Sequence, residues 1–185
     1  MVSSGAIIGI VIVIIIVIII IGGIIYYKYY YKQAPSLVEK AKQKPAPLYP
    51  TFKYIKIYKD SGILNIFGVR LIKNGVEIPL KVVSASPSYN PDVYPAEAAV
   101  KTIEGKYYHS IDTKDVHLEV EPENGHSVQL PITVKIMNRI NDNRCCEGRI
   151  LGFRVALIND SGQIVEEKTI DKVQDEYNIS FNDKV

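Results

Sequence analysis

The side chains in this chain of 185 residues with the means to do chemistry are three histidines, two adjacent cysteines, a group of arginines and a group of tyrosines. His109, His117 and His126 stand 8 and 9 residues apart, a spacing that no metal-ligand motif uses. They are expected as ordinary surface or capping histidines. Cys145-Cys146 has no second pair to make a zinc knuckle. A bond between neighbouring cysteines is strained, so two reduced thiols are expected, one in the core and one in a loop. No Gly-x-Ser-x-Gly, phosphate loop or Gly-x-Gly-x-x-Gly occurs. Asp112, Asp115 and Asp142 are scattered among turn residues, and metal binding by such carboxylates is the weaker reading. Neither catalysis, metal nor cofactor is therefore expected.

What remains suits binding. Arg139, Arg144 and Arg149 fall within eleven residues, where they can grip an acidic partner, with Arg144 the candidate contact. Tyr89, Tyr94, Tyr107 and Tyr108 lie in a Ser/Pro/Tyr-rich stretch stiffened by Pro87, Pro91 and Pro95. Tyrosine in a stiff loop gives large contact area at low entropic cost, so these four are candidate partner-binding residues. The other reading is that their rings cap a core.

These groups need elements to hold them. From Ala6 to Ile25 every residue is Ala, Ile, Val or Gly, and no charge precedes Lys28. Twenty helical residues span about 30 Å, the thickness of a bilayer's hydrocarbon core. A buried core helix would show a polar face. A cleaved signal would carry a basic start, a shorter apolar run and a small-residue cleavage site. The expectation is an uncleaved transmembrane helix in residues 1–32. Its border is Tyr26, Tyr27, Lys28, Tyr29, Tyr30, Tyr31 and Lys32, with rings at headgroup level and snorkelling lysines. Lys28, Lys32, Lys40, Lys42 and Lys44 follow the run. The positive-inside rule then leaves the C-terminal part cytosolic, with the sequons at Asn159 and Asn178 unused.

Residues 33–51 carry four prolines and read as a stiff linker. Within it Ser36 and Glu39 match a capping box for a short helix from Ser36 to Lys44. Pro47-Leu48-Tyr49-Pro50 reads as spacer ahead of its alternative, a proline-motif ligand. Residues 26–50 hold five lysines against one glutamate, which suits anionic headgroups. Residues 51–185 hold 17 basic and 19 acidic residues, which argues against nucleic acid.

From residue 52 to 185 the period is 2. Ile132, Val134 and Ile136 alternate with Thr133, Lys135 and Met137. Val116, Leu118 and Val120, then Phe153, Val155 and Leu157, then Tyr177, Ile179 and Phe181 repeat the pattern. Residues 52–58 and 63–72 are also strand-like. Turn signals such as Lys73-Asn74-Gly75 and Asp160-Ser161-Gly162 separate the runs. This predicts an all-β domain, an antiparallel β-sandwich, with residues 84–110 as a long ordered loop.

Four stretches stand together: Tyr54-Ile55-Lys56-Ile57-Tyr58 with Gly62-Ile63-Leu64-Asn65-Ile66; Val83-Ser84-Ala85-Ser86; Tyr108-His109-Ser110; and Ile136-Met137-Asn138-Arg139 with the run from Arg144 to Gly152, which contains Cys145-Cys146. Together they resemble a galactose-binding-like jelly roll of the coagulation factor 5/8 C-terminal (discoidin) type, in the version found in capsid-associated proteins of large icosahedral DNA viruses. The resemblance covers about residues 52–182. It implies an antiparallel jelly-roll sandwich behind the anchor, with Arg149 as a framework residue. It further implies a minor capsid protein of the virion that tethers the internal membrane to the shell. Its partners would be the bilayer, through residues 6–25, the major capsid protein and other minor capsid proteins. The family's usual Trp before an Ile-Asp-Leu-Gly strand is replaced by Leu118-Glu119-Val120-Glu121, and the chain has no Trp, which weighs against carbohydrate. A membrane-anchored lectin-like module for glycans or lipid headgroups is the alternative.

Overall fold

Alternation becomes burial in the computed structural model, which describes residues 17–28, 49–139 and 146–182. Ile132, Val134 and Ile136 are buried, and Thr133, Lys135 and Met137 between them are partly exposed. The chain divides into two compact units, Met1–Ala46 and Pro47–Val185. In the first, residues 17–26 are helical and every described side chain is exposed. Among the described residues no helix is long and apolar enough to cross a membrane. Ala6 and the rest of the apolar run before Val17 lie outside the described residues, as do Lys32 and the expected helix from Ser36 to Lys44.

The second unit is built from strands β1 (Thr51–Phe52), β2 (Tyr54–Gly62), β3 (Asn65–Lys73), β4 (Val76–Ile78), β5 (Leu80–Ala85), β6 (Tyr108–His109), β7 (Thr113–Pro122), β8 (Val128–Gln129), β9 (Ile132–Asn138), β10 (Arg154–Ile158), β11 (Ile164–Thr169) and β12 (Glu176–Phe181). All pairings between them are antiparallel. One sheet runs β11-β10-β2-β7-β5. The other runs β12-β9-β3-β4, with β6 also on β3, and β1 pairs with β8. Ile55, Ile57, Leu118 and Val155 of the first sheet share one apolar core with Val69, Leu71, Val134 and Phe181 of the second. That is a β-sandwich. The core lies wholly within this unit, which therefore holds its own fold.

Local chemistry explains the joints. Asn74 (φ 52°) and Gly75 (φ 77°) close the β3–β4 hairpin, because a two-residue hairpin turn of this type needs positive φ at both positions. Ala156 departs from alternation and is buried. It stands opposite Lys56 on one side and Glu167 on the other, and side chains of that length cover a single methyl.

Residues 84–110 are ordered, as expected, but hold more pairing than a loop. Tyr89 N–H donates to His109 O at 2.8 Å, and Ile111 N–H to Pro87 O at 2.8 Å. The Val93 and Tyr94 N–H groups both bond Asn90 O, while Asn90 Oδ1 accepts from Asp92 N–H, an Asx turn. A 3-10 turn at Ala96–Ala99 then buries Ala98 and Ala99. Arg70 clamps the far side, through Ala99 O at 3.5 Å and Thr102 Oγ1 at 3.1 Å.

Candidate functional site

The clamped segment brings most of the predicted tyrosines to one end of β3. Tyr89 and Tyr94 both meet the ring of His109 at 5.4 Å, the first stacked and the second tilted. Tyr107 lies 4.7 Å from Tyr94 and 6.2 Å from His109. Phe67 adds an edge at 5.2 Å from Tyr107, and Arg139 Cζ sits 4.6 Å above the Tyr107 ring. Such ring pairs and the guanidinium contact each stabilise by roughly 0.5–1.5 kcal/mol. Tyr89 is 70 % exposed. Tyr94, Tyr107, His109 and Arg139 are half-buried, and Arg149 is exposed. The result is a rigid aromatic platform edged by arginine.

Each member has a positional cause. In β3 the register passes from Ile66↔Asn138 to Gly68↔Met137, so Phe67 is the extra residue of a bulge, and a bulge re-aims its side chain. Gly68 beside it leaves room for the end of the Met137 side chain. A Cβ there would come within 2.1 Å of Met137 Cε. Asn138, at the end of β9, donates through Nδ2 to Glu147 O and Gln174 O, both at 3.0 Å, and so presents the next residue, Arg139, to the rings. Tyr108-His109-Ser110 works as a splice. Ser110 exchanges two bonds with Leu64, its Oγ accepting from the Leu64 N–H at 2.8 Å and its N–H donating to Leu64 O at 3.0 Å.

Tyr108 corrects an expectation. It was a candidate contact, yet it is fully buried in the core, opposite Ile66. Its hydroxyl donates to Ser86 O at 2.6 Å. In a strand, neighbours point to opposite faces, so with Tyr107 outside, Tyr108 goes inside. Cys146 corrects another. It is disulfide-bonded, where reduced thiols were expected. It takes the left-handed conformation (φ 76°). The chain's other cysteine, Cys145, lies outside the described residues, as does the candidate contact Arg144. Arg149, a framework residue by resemblance, is exposed.

His109, expected as an ordinary surface or capping histidine, stands at the centre of the platform. The signal available was its period-2 relation to Tyr107. Burial holds its pKa below the usual 6.5, and the Arg139 and Arg149 charges add to the effect. Asn65 stands directly across from it on β3, 2 % exposed. Among the described residues Asn65 Oδ1, Asn65 Nδ2 and His109 Nδ1 have no hydrogen-bond partner.

A pH dependence follows. The native state binds fewer protons at His109 than the unfolded state, so stability falls as pH drops from about 6.5 through the lowered native value. The groups around the ring are Tyr89, Tyr94, Tyr107, Asn65, Arg139 and Arg149, with no carboxylate or second imidazole among them. Urea midpoints of the wild type and His109→Gln, compared between pH 7.5 and 5, should converge toward the acid end. Parallel curves would remove His109 as the cause.

Beside the platform, β3, β9 and residues 98–106 enclose an open cleft of about 490 Å³. Phe67 borders both. Met137, Ile72 and Ile103 supply apolar wall, and Arg70, Lys101, Lys106 and Lys135 surround it.

His117 Nε2 lies 3.1 Å from Ser84 Oγ, and its Nδ1 lies 3.0 Å from Asp115 O. The pair resembles a nucleophile and base, but neither residue lines the cleft. Among the described residues no three His, Cys, Asp or Glu side chains gather to hold a metal. The class that the fold defines is an antiparallel β-sandwich, with an aromatic platform at one end of β3. Comparison of the chain with family models, with curated proteins and with solved structures found no match.

Proposed function

We propose that this chain is a structural tether. It anchors in a bilayer through residues 6–25 and docks a protein shell through the platform of Tyr89, Tyr94, Tyr107 and His109. The observation that carries the reading is the convergence of four rings and Arg139 on one exposed face, the residue types that dominate binding energy at protein interfaces.

The resemblance in Tyr108-His109-Ser110, Asn138-Arg139 and the run ending at Gly152 supports the setting. In it the sandwich is a galactose-binding-like jelly roll. The chain is a minor capsid protein of a large icosahedral DNA virus, linking the internal membrane to the inner side of the capsid. The domain faces the cytosol during infection and contacts the major capsid protein and other minor proteins. The disulfide at Cys146 fits the finished particle, which has left the cell's reducing pool.

The test is reconstitution. Full-length chain in liposomes should recruit the purified major capsid protein, and the Tyr89→Ala, Tyr94→Ala double variant should weaken recruitment more than tenfold, on the order of 1.4 kcal/mol or above. Micromolar binding to a defined glycan with no recruitment of capsid protein would replace the tether by the lectin-like module.

A further inference from the structure

The platform is lopsided in charge. Neither Arg139 nor Arg149 pairs with a carboxylate among the described residues; the contact recorded for Arg139 is the Tyr107 ring. Elsewhere in the domain ion pairs are common: Arg70 with Glu77 at 3.2 Å, Lys81 with Glu121 at 3.2 Å, Lys135 with Glu176 at 2.8 Å, Arg154 with Asp60 at 2.5 Å. Residues 51–185 carry more acid than base, so unpaired guanidinium on one face runs against the composition of the domain. Both arginines act electrostatically on His109 and on Tyr107, and Arg139 does so from 4.6 Å above the Tyr107 ring. The cleft that begins at Phe67 also carries more base than acid, with Arg70, Lys101, Lys106 and Lys135 on its lining against Glu77 and Glu104. Lys101 on its wall has no carboxylate partner among the described residues, and Lys106 spends its ammonium on a carbonyl, Asp92 O, at 2.8 Å.

We propose that this face receives an acidic segment of a partner protein. A carboxylate takes the guanidinium group of Arg139 beside the Tyr107 and His109 rings, with the Arg149 charge adding to the attraction, and the segment continues past Phe67 into the cleft toward Lys101. The proposal rests on the docking reading above and adds the partner's chemistry. Arginine's planar fork takes a carboxylate through two parallel hydrogen bonds. The rings exclude water around the pair, which strengthens it. The apolar wall of Met137, Ile72 and Ile103 takes the uncharged side chains of the segment. A protein is favoured over anionic lipid because a stiff tyrosine platform matches shaped apolar side chains, whereas headgroups need charge alone.

The experiment uses the unit Pro47–Val185, whose core is its own. Its probes are a short synthetic peptide alternating glutamate with tyrosine and leucine, the same peptide with glutamine for glutamate, and vesicles of phosphatidylserine in phosphatidylcholine. The glutamate peptide should bind, and Arg139→Gln and Arg149→Gln should each weaken it about tenfold, roughly 1.4 kcal/mol. Arg139→Lys should lose less than Arg139→Gln. Added salt should weaken binding. In the complex the His109 imidazole, followed by NMR, should titrate at higher pH than in the free domain, because the new carboxylate offsets both arginines. Equal binding of the glutamine peptide overturns the proposal. So does binding to the vesicles without binding to the glutamate peptide. The two readings fail separately. If the tyrosine variant loses capsid-protein recruitment while the arginine variants keep it, docking stands and the acidic segment falls. If the arginines govern peptide binding but liposomes recruit no capsid protein, the acid-binding face stands and the tether falls.

Discussion

Tyr108→Ala should destabilise the sandwich by roughly 3–5 kcal/mol, the range for truncating a large buried aromatic, whereas Tyr89→Ala should cost only about 0.5–1.5 kcal/mol, the worth of its one ring pair. The two residues lie in one segment and differ in what surrounds them. Tyr108 is fully buried, and burial pushes its phenol well above the ordinary value. Its ring fills space between Ile66 of β3 and the rest of the core, and its hydroxyl satisfies the Ser86 carbonyl at 2.6 Å. Truncation opens a cavity and also strands that carbonyl. Tyr108→Phe keeps the ring and should cost only about 1 kcal/mol, the net worth of the hydrogen bond. Tyr89 is 70 % exposed and touches the fold mainly by stacking on His109. Urea unfolding of the unit Pro47–Val185 separates the cases. A Tyr108→Ala variant that melts like wild type while losing partner capture would return Tyr108 to the binding face.

The contrast shows where sequence reasoning stops. The long strands were legible because alternation over six or more residues fixes which side chains are buried. Val116, Leu118 and Val120 of β7 and Tyr177 and Phe181 of β12 behave as their spacing dictates. β6 has two residues, too few for a period. Tyr107 and Tyr108 therefore looked alike as loop residues, although strand geometry forces them apart. Phe67 was hidden for a different reason. It lies in a run that reads as plain strand, and only the register slip against β9 turns it outward; Gly68 was the one local hint. The approach of Arg139 to Tyr107 joins β9 to a segment thirty residues earlier in the chain, and no local pattern encodes a long-range contact of that kind. The arginine group itself was visible as composition, and so was its suitability for acid. The disulfide state of Cys146 left no such trace. Adjacent cysteines argue against a bond on strain alone.

Full-length chain should remain in the membrane pellet after a carbonate wash, and a chain beginning at Pro47 should leave it completely. Sixteen of the twenty residues from Ala6 to Ile25 are Ile or Val, each worth about −0.3 to −0.6 kcal/mol for insertion near the helix centre, or roughly −5 to −10 kcal/mol together. No charge within the run opposes this. The described helical part, residues 17–26, exposes Ile18, Ile19, Ile20, Ile21, Ile24 and Ile25 at 51–67 % each. Consecutive positions point all round a helix, so this part has no polar face to turn to water, and a helix apolar on every side belongs in protein or in lipid. On the proposed reading that surrounding is lipid. The discriminating variant is Ile14→Arg with Ile18→Arg. Two arginines near the middle of the run cost about 5–7 kcal/mol on the same scale, enough to offset most of the gain. The double variant should move largely to the wash while the folded domain keeps its melting temperature. Retention of the double variant, or of the chain beginning at Pro47, would mean that the sandwich or the lysine-rich border holds the membrane, and residues 6–25 would lose their role as the anchor.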